Sequence, residues 1–171
     1  MAALAAGDKE ALSELVRRHQ SAVLSTAYRL LGRWDRAEDV AQEAFIRVYR
    51  SASTYRPSAA FSTWLYRIVV NLCRDELRRR RPTSEPPEDL SNGRDAEPSD
   101  VLEQTEQVHR IRRAVARLPE RQRVCMILHR YAGLSHEQIA EATGWSISAI
   151  ESCLVRGYAQ LREDLADLRG P

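Results

Sequence analysis

The chain has 171 residues, of which 43% are hydrophobic and 29% charged, with a formal net charge of +2. This length and composition suit one medium or two small folded domains. No apolar run is long enough to cross a bilayer. Residues 1–7 are alanine-rich but lack a basic start, so we expect no signal peptide. These features predict a cytoplasmic protein without membrane insertion.

The charges are unevenly distributed along the chain. Residues 1–81 carry 15 basic and 9 acidic side chains, residues 82–100 carry 1 and 6, and residues 101–171 carry 10 and 9. The middle stretch has four prolines and one leucine, so it cannot bury enough apolar surface to fold alone. On both sides, apolar residues recur at spacings of three and four. The sequence therefore predicts two small all-α domains joined by a flexible acidic linker.

Three or four helices are predicted in the first half. Residues 8–31 are expected to form one or two amphipathic helices, and Gly32 is suited to end the last of them. Asp35, with Glu38 three residues later, is expected to cap the next helix. A further helix is predicted for residues 62–81.

The second half is expected to contain a DNA-binding motif. Helices are predicted at residues 101–117, 119–131, 135–143 and from 146 to just before 170. Ser135 and Gln138 form a capping-box pattern, Gly144 lies in a short turn, and Ser146 can cap the last helix. A short helix, a tight turn and a longer helix are typical of a helix-turn-helix.

The predicted helix at 62–81 has a basic face opposite its apolar face. Within about 80° of one another lie Arg67, Asn71, Arg74, Arg78 and Arg81. Guanidinium groups one turn apart can bind successive phosphates, and an asparagine among them can bind a base edge. Because no acidic residue interrupts this stripe, we favour nucleic acid over an idle charged surface. Tyr55, Trp64 and Tyr66 lie near the helix start and are candidates to stack on unpaired bases, although core packing is equally compatible with them.

The helix after Asp35 has the opposite character. Away from its apolar stripe it carries Glu38, Asp39, Gln42, Glu43 and Ile46. This acidic surface should repel DNA. It fits a basic protein partner with Ile46 as an apolar anchor, and composition alone equally allows an idle surface.

The last helix is expected to enter the major groove of DNA with its N-terminal part. The outward residues there are Ser148, Ala149, Glu151, Ser152, Val155 and Arg156. The inward residues are predicted to be Ile147, Ile150, Leu154, Leu161, Leu165 and Leu168. Glu151 repels phosphates unless it accepts from a cytosine amino group, so we expect modest affinity from this domain alone.

Nothing in the sequence favours an enzyme, a metal site or a cofactor. No paired-carboxylate or nucleophile–base pattern is present, and the four histidines are expected to be isolated surface residues. The three cysteines lack a C-x-x-C spacing and are expected to be small buried residues. Cys125 and His129 are four residues apart, but a second ligand pair at matching spacing is missing.

Several segments together resemble the extracytoplasmic-function sigma factors, which belong to the sigma-70 family. The segments at residues 35–49 (DRAEDVAQEAFIRVY), 61–71 (FSTWLYRIVVN) and 75–79 (DELRR) are similar to region 2 of that family. The segments at 118–124 (LPERQRV) and 131–140 (YAGLSHEQIA), with the final helix, are similar to region 4. Where the family usually has Lys or Arg, this helix has Glu151, Cys153 and Tyr158, whereas Arg156 remains.

The resemblance implies a role for each surface. Region 2 would be residues 1–81 and region 4 residues 101–171, with core RNA polymerase, promoter DNA and an anti-sigma factor as partners. Core polymerase would bind Asp39, Gln42, Glu43 and Ile46. The minus-10 element, with a flipped base, would bind Tyr55, Ser62, Trp64, Arg67, Asn71, Arg74 and Arg78. The minus-35 element would be read by the outward residues of the last helix.

Two other functions remain open at this level. A helix-turn-helix regulator could bind duplex operators as a dimer without polymerase. An interaction module held by an inhibitor would instead expose the segment at residues 125–128, for which a core position is the preferred interpretation.

Overall fold

In the computed structural model, residues 1–55, 60–79 and 106–168 are described, without the side chains of Ala2, Lys9 and Leu168. Every regular element among them is helical, in agreement with the predicted all-α class. The eight α-helices are α1 (Ala2–Ala5), α2 (Lys9–Leu31), α3 (Trp34–Arg50), α4 (Phe61–Arg79), α5 (Glu106–Arg117), α6 (Glu120–Arg130), α7 (His136–Thr143) and α8 (Ile147–Asp164). A 3-10 turn follows at Ala166–Leu168. The predicted linker at 82–100, the end of the helix predicted for residues 62–81 and residues 101–105 lie outside the described residues.

Local sequence signals set most of the helix boundaries. Asp8 accepts hydrogen bonds from the backbone N–H groups of Glu10 and Ala11 at the start of α2. Gly32 ends that helix with a positive φ of 71°, which a residue with a side chain rarely adopts. Of the one or two helices expected for residues 8–31, the structure shows a single continuous helix, α2.

The prediction that Asp35 caps α3 is wrong. The helix begins one residue earlier, at Trp34, and its N-cap is Arg33, which makes no side-chain capping bond. The Asp35 carboxylate instead accepts two hydrogen bonds from the Arg33 guanidinium, at 3.0 and 2.7 Å. The Trp34 ring lies edge-on to Tyr28 of α2, and this contact accompanies the earlier start.

The N-terminal helices α2, α3 and α4 pack against one another, and α6, α7 and α8 form the C-terminal group. The N-terminal core includes Val23, Val48, Leu65 and Val69, each almost fully buried. Burying one such side chain contributes about 1.5–3 kcal/mol. The core therefore fixes which faces of α3 and α4 remain at the surface.

The segment at residues 125–128 is fully interior. Cys125, Met126, Ile127 and Leu128 are each no more than 2% exposed. This confirms the core interpretation and removes the exposed contact that an interaction module would have needed. None of the helices described in the structure is long and apolar enough to span a membrane.

Candidate polymerase-binding and nucleic-acid interface

The outward side of α3 carries the acidic residues singled out in the sequence. Asp39 is 72% exposed at its side chain, and Glu43 is 38% exposed. Gln42 is exposed, and Ile46 leaves 43% of its surface open. The opposite side of the helix buries Ala37, Val40, Ala44, Phe45 and Val48. We call the outward set Asp39, Gln42, Glu43 and Ile46 the acidic face.

Sequence reasoning missed one neighbour of this face. Tyr49 lies three residues after Ile46 and is 51% exposed, which is unusual for so large a ring. Residues three apart share a helix face, so Ile46 and Tyr49 form one apolar patch beside the carboxylates. In the sequence, this patch was indicated only by the three-residue spacing between Ile46 and Tyr49.

Two arginines partly neutralise the acidic face. The Arg47 Nε lies 2.9 Å from a carboxylate oxygen of Glu43 one turn away. The Arg36 guanidinium lies 4.0 Å from Asp39 and 3.6 Å from Glu76 of α4. Exposed pairs of this kind contribute only about 0–1 kcal/mol each, so a basic partner can compete for both carboxylates.

On α4, the basic stripe is largely open to solvent. Arg67, Asn71 and Arg78 are exposed on the side away from the buried Leu65, Val69 and Leu72. Arg81 lies outside the described residues. The stripe is not free of acidic neighbours as the sequence suggested, because Arg78 forms an ion pair with Asp75 of the same helix.

Arg74 differs from the rest of the stripe. Its Nε lies 3.2 Å from Oε1 of Glu120 at the start of α6. Its guanidinium carbon also lies 5.7 Å from the centre of the Trp145 ring, which belongs to the turn between α7 and α8. Arg74 is thus engaged by the C-terminal helices, a contact that helix periodicity could not reveal.

Four aromatic rings form a cluster at the start of α4. They are His19 of α2, Tyr55 of the segment after α3, and Phe61 and Trp64 of α4. The ring of Tyr55 lies 4.8 Å from that of Trp64 and 6.5 Å from that of Phe61. Phe61 also contacts His19 of α2, with ring centres 5.2 Å apart. Each of the four is half-buried, and Ser62 beside them is half-buried too. Tyr66, by contrast, is buried and contributes to the core.

His19 was expected to be an isolated surface residue, and this expectation is wrong. It packs against Phe61, and its burial, with a smaller effect from the charge of Arg18, lowers the pKa of its imidazole below the usual value. This shift favours the neutral form of the ring, which lies beside the aromatic cluster.

The helix-turn-helix is built by the caps that the sequence indicated. The Ser135 side chain accepts from the Gln138 backbone N–H, and the Gln138 side chain accepts from the Ser135 N–H, which completes the capping box. Gly144 turns the chain at a φ of 74°, and the Ser146 hydroxyl accepts from Ala149 N–H at the start of α8. Gly144 and the Ser146 cap thus end α7 and begin α8 within a short turn.

The N-terminal part of α8 presents the predicted base-reading residues. Ser148, Glu151, Ser152, Val155 and Arg156 are exposed, and Ala149 is half-buried. Glu151 lies 3.9 Å from the His136 ring of α7. Val155 is 69% exposed, and Tyr158 is 40% exposed. This side of α8 therefore carries exposed apolar side chains next to its exposed polar ones.

Two details of α8 correct the expectation. Ile147 was predicted to pack inward but is 42% exposed, whereas Ile150 and Leu154 are buried as expected. Side chains in a helix tilt toward its N-terminus, so the first residue points beyond the helix rather than over its neighbours. The helix also ends at Asp164, earlier than predicted.

The cysteines and histidines do not assemble a metal site in the part of the chain that the structure describes. Cys73 and Cys125 are buried, and burial raises the pKa of each thiol to about 12. Cys153 is half-buried rather than buried, and its thiol lies near that of Cys125. His129 and His136 are neighbours, with ring centres 5.4 Å apart, and not isolated.

The geometry describes a class of protein: an all-helical chain with a helix-turn-helix and, on a second group of helices, an arginine stripe beside an acidic, partly apolar face. Comparison with known proteins agrees with this class. The family model for Sigma-70 region 2 matches residues 15–83, and that for Sigma-70 region 4 matches residues 109–161.

Individual relatives match along nearly the whole chain. The ECF RNA polymerase sigma factor SigE of Mycolicibacterium smegmatis is 38% identical over 169 residues, covering 95% of this chain but 65% of that protein. SigW of Bacillus subtilis is 30% identical over 173 residues, covering 95% of this chain and 92% of that protein. The solved structure of CnrH in complex with the cytosolic domain of CnrY has a TM-score of 0.74 at 25% identity, covering 99% of this chain and 96% of that one.

This chain belongs to the sigma-70 family and is an RNA polymerase sigma factor of the extracytoplasmic-function type, as the sequence predicted. Sigma factors are transcription initiation factors. The alternative of an operator-binding regulator that works without polymerase is not favoured by these matches.

Proposed function

We propose that the acidic face of α3 is the surface with which this sigma factor binds core polymerase. Its carboxylates at Asp39 and Glu43 are solvent-accessible and held only by weak local ion pairs. The exposed patch of Ile46 and Tyr49 lies beside them. Charged groups beside a small apolar anchor are typical of a specific protein interface. The charges speed association with an oppositely charged partner, and the anchor slows dissociation.

We further propose that the start and outer face of α4 capture the minus-10 element as the duplex opens. Arg67, Arg74 and Arg78 would hold phosphates, and Asn71 would bind the edge of a flipped base. The half-buried rings of Tyr55 and Trp64, with Ser62 beside them, would accept bases that have left the stack. The observation that supports this is the alignment of Trp64 and Asn71, seven residues apart, on one helix face next to the arginines.

The minus-35 element is assigned to the outward residues of α8. Ser148, Ala149 and Ser152 are small enough to permit close approach to base edges, and Arg156 can reach phosphate or guanine. Val155 can contact a thymine methyl group. Glu151 would accept from a cytosine amino group, which favours cytosine at one position of the element.

In this proposal region 2 comprises residues 1–81, the linker residues 82–100 and region 4 residues 101–171. The factor acts in the cytoplasm, where polymerase and DNA are located. We propose that an anti-sigma factor regulates it; the similar CnrH was solved bound to another protein, the cytosolic domain of CnrY.

The observation that carries the proposed function is the pairing of an exposed acidic face on α3 with an exposed arginine stripe on the adjacent α4. The test is transcription by purified core polymerase on genomic DNA, with start sites sequenced, in the presence and absence of this chain. We expect new start sites that share two upstream elements. Specific duplex binding by the chain alone, with no new start site and no polymerase binding, would support the operator-binding alternative instead.

A further inference from the structure

Glu151 is the acidic member of the set assigned to the minus-35 element, and its carboxylate has a neighbour on another helix. Its Oε1 atom lies 3.9 Å from Nδ1 of His136, the first residue of α7. The side chains of Glu151 and His136 are 57% and 35% exposed, respectively. Because α7 and α8 are the two helices of the helix-turn-helix, this contact joins the helix assigned to base reading to the helix before it.

The imidazole of His136 packs beside a second histidine. The ring centres of His136 and His129 of α6 are 5.4 Å apart, with an angle of 57° between the ring planes. Nδ1 of His129 lies 3.1 Å from the backbone carbonyl oxygen of Leu134. A carbonyl can only accept, so Nδ1 of His129 carries the proton of this hydrogen bond. His129 is therefore anchored to the backbone, and it supports the ring of His136 in the position near Glu151.

Other charged groups around α7 have partners of their own. On α7 itself, the Glu137 carboxylate accepts a hydrogen bond of 2.7 Å from the Ser135 hydroxyl. On α4, which also packs against α7, Arg74 is engaged by α6 and by the turn beyond the opposite end of α7. A proton gained by His136 therefore acts chiefly on Glu151.

Protonation of His136 changes the charge that Glu151 presents to DNA. A histidine imidazole gains its proton within the range of about pH 5 to 8. Beside a neutral ring, the carboxylate is an uncompensated negative charge that repels DNA phosphates. A protonated ring compensates this charge, and a hydrogen bond between charged partners is about twice as strong as one between neutral groups. One carboxylate oxygen then faces His136, and the other stays available to accept from a base.

Resting on the proposed function, we propose that His136 is a positioning residue for the minus-35 element: when protonated, it holds the Glu151 carboxylate toward a cytosine amino group and makes base preference depend on pH. In the major groove cytosine presents an amino donor and no acceptor, which suits a carboxylate, whereas adenine presents an acceptor beside its donor. The preference for cytosine is therefore sharper at pH 6 than at pH 8. A fall in cytoplasmic pH favours promoters that carry this cytosine.

The test measures base preference rather than total affinity, so that the pH dependence of polymerase itself cancels. Holoenzyme formed from purified core polymerase and the full chain selects duplexes from a library randomised across the minus-35 element, at pH 6 and at pH 8. Wild-type factor should favour cytosine at one position by at least about fivefold at pH 6. At pH 8 this preference should fall by about two- to fivefold, the range expected when an exposed ion pair is lost.

Four variants, each at a residue outside the buried core, identify the groups responsible. Glu151→Gln should abolish the preference at both pH values, because an amide can donate as well as accept. His136→Gln, which cannot titrate, should show the weaker preference at both. His136→Arg, which stays charged, should restore the stronger preference at both. The control His109→Gln removes an imidazole of α5 and should behave like wild type. Circular dichroism of each variant verifies the fold.

Three results would overturn the proposal. The first is a wild-type selection with a minus-35 consensus but no cytosine preference. The second is an unchanged pH dependence in His136→Gln. The third is a pH-dependent cytosine preference that survives in Glu151→Gln, because His136 would then act on DNA directly. Wild-type factor that fails to bind core polymerase, or holoenzyme that enriches no minus-35 sequence, would instead indicate a failure of the proposed function.

Discussion

Reversing the charge of the acidic face should separate polymerase binding from folding. In the double variant Asp39→Arg with Glu43→Arg, the folded chain should survive, because Asp39 is 72% exposed and its contact with Arg36 is 4.0 Å long. The Glu43–Arg47 pair is an exposed pair one turn apart, worth about 0.3–0.5 kcal/mol. The new arginines add repulsion of a similar size. The total loss in free energy of unfolding should therefore be about 1–2 kcal/mol, which is less than the usual stability of a small domain.

The effect on binding should be much larger. Each close charge pair across an interface contributes at least about 1.5 kcal/mol, and reversal replaces attraction by repulsion. Two such positions amount to about 3–6 kcal/mol, or a roughly 10²- to 10⁴-fold loss of affinity for core polymerase. The loss should appear mainly in the association rate and shrink as salt is raised, because the charges are exposed.

The measurement is competition between labelled wild-type factor and each unlabelled variant for purified core polymerase. Circular dichroism and thermal unfolding of each variant verify the fold. The matched control, Glu141→Arg with Glu163→Arg, makes the same change in charge on exposed residues of α7 and α8. If the folded Asp39 and Glu43 double variant competes as well as wild type, the acidic face is not the polymerase-binding surface.

Three further predictions concern the other surfaces. Asn71→Ala should weaken strand opening by the holoenzyme, measured by permanganate footprinting, more than it weakens duplex binding in a gel shift. The reason is that, in the proposed function, the Asn71 amide meets a base only after that base has flipped out of the duplex. Equal losses in the two assays would contradict base capture. Ser135→Ala should lower the free energy of unfolding by about 1 kcal/mol, measured by urea denaturation, since it removes the hydroxyl that accepts from the Gln138 backbone N–H. At pH 8 the native chain should react with Ellman's reagent at Cys153 alone, because the buried thiols of Cys73 and Cys125, with pKa values of about 12, are almost entirely protonated as well as inaccessible. Rapid reaction of three thiols without denaturant would show that the core opens.

Interactions between residues close in sequence made most elements predictable. The helix-turn-helix follows from two serines, a glutamine and a glycine at fixed offsets, since a cap or a left-handed turn depends on only a few neighbouring backbone groups. The acidic face was predictable for the same reason, because the spacing of its residues along α3 places them on one side of the helix. Prediction from neighbouring residues failed at Asp35, where Arg33 binds the carboxylate that was expected to cap the helix.

The sequence by itself determined the all-helical class, the order of the helices, the outward faces of α3 and α4, and membership of the sigma-70 family. Only the tertiary structure decided that Arg74 meets Glu120, 46 residues away, and that His19 joins the aromatic cluster. Periodicity determines which side of a helix is apolar, but it holds no information about which other helix will cover the polar edge. That choice depends on the packing of all the helices at once, and it is this packing that brings α7 against α4.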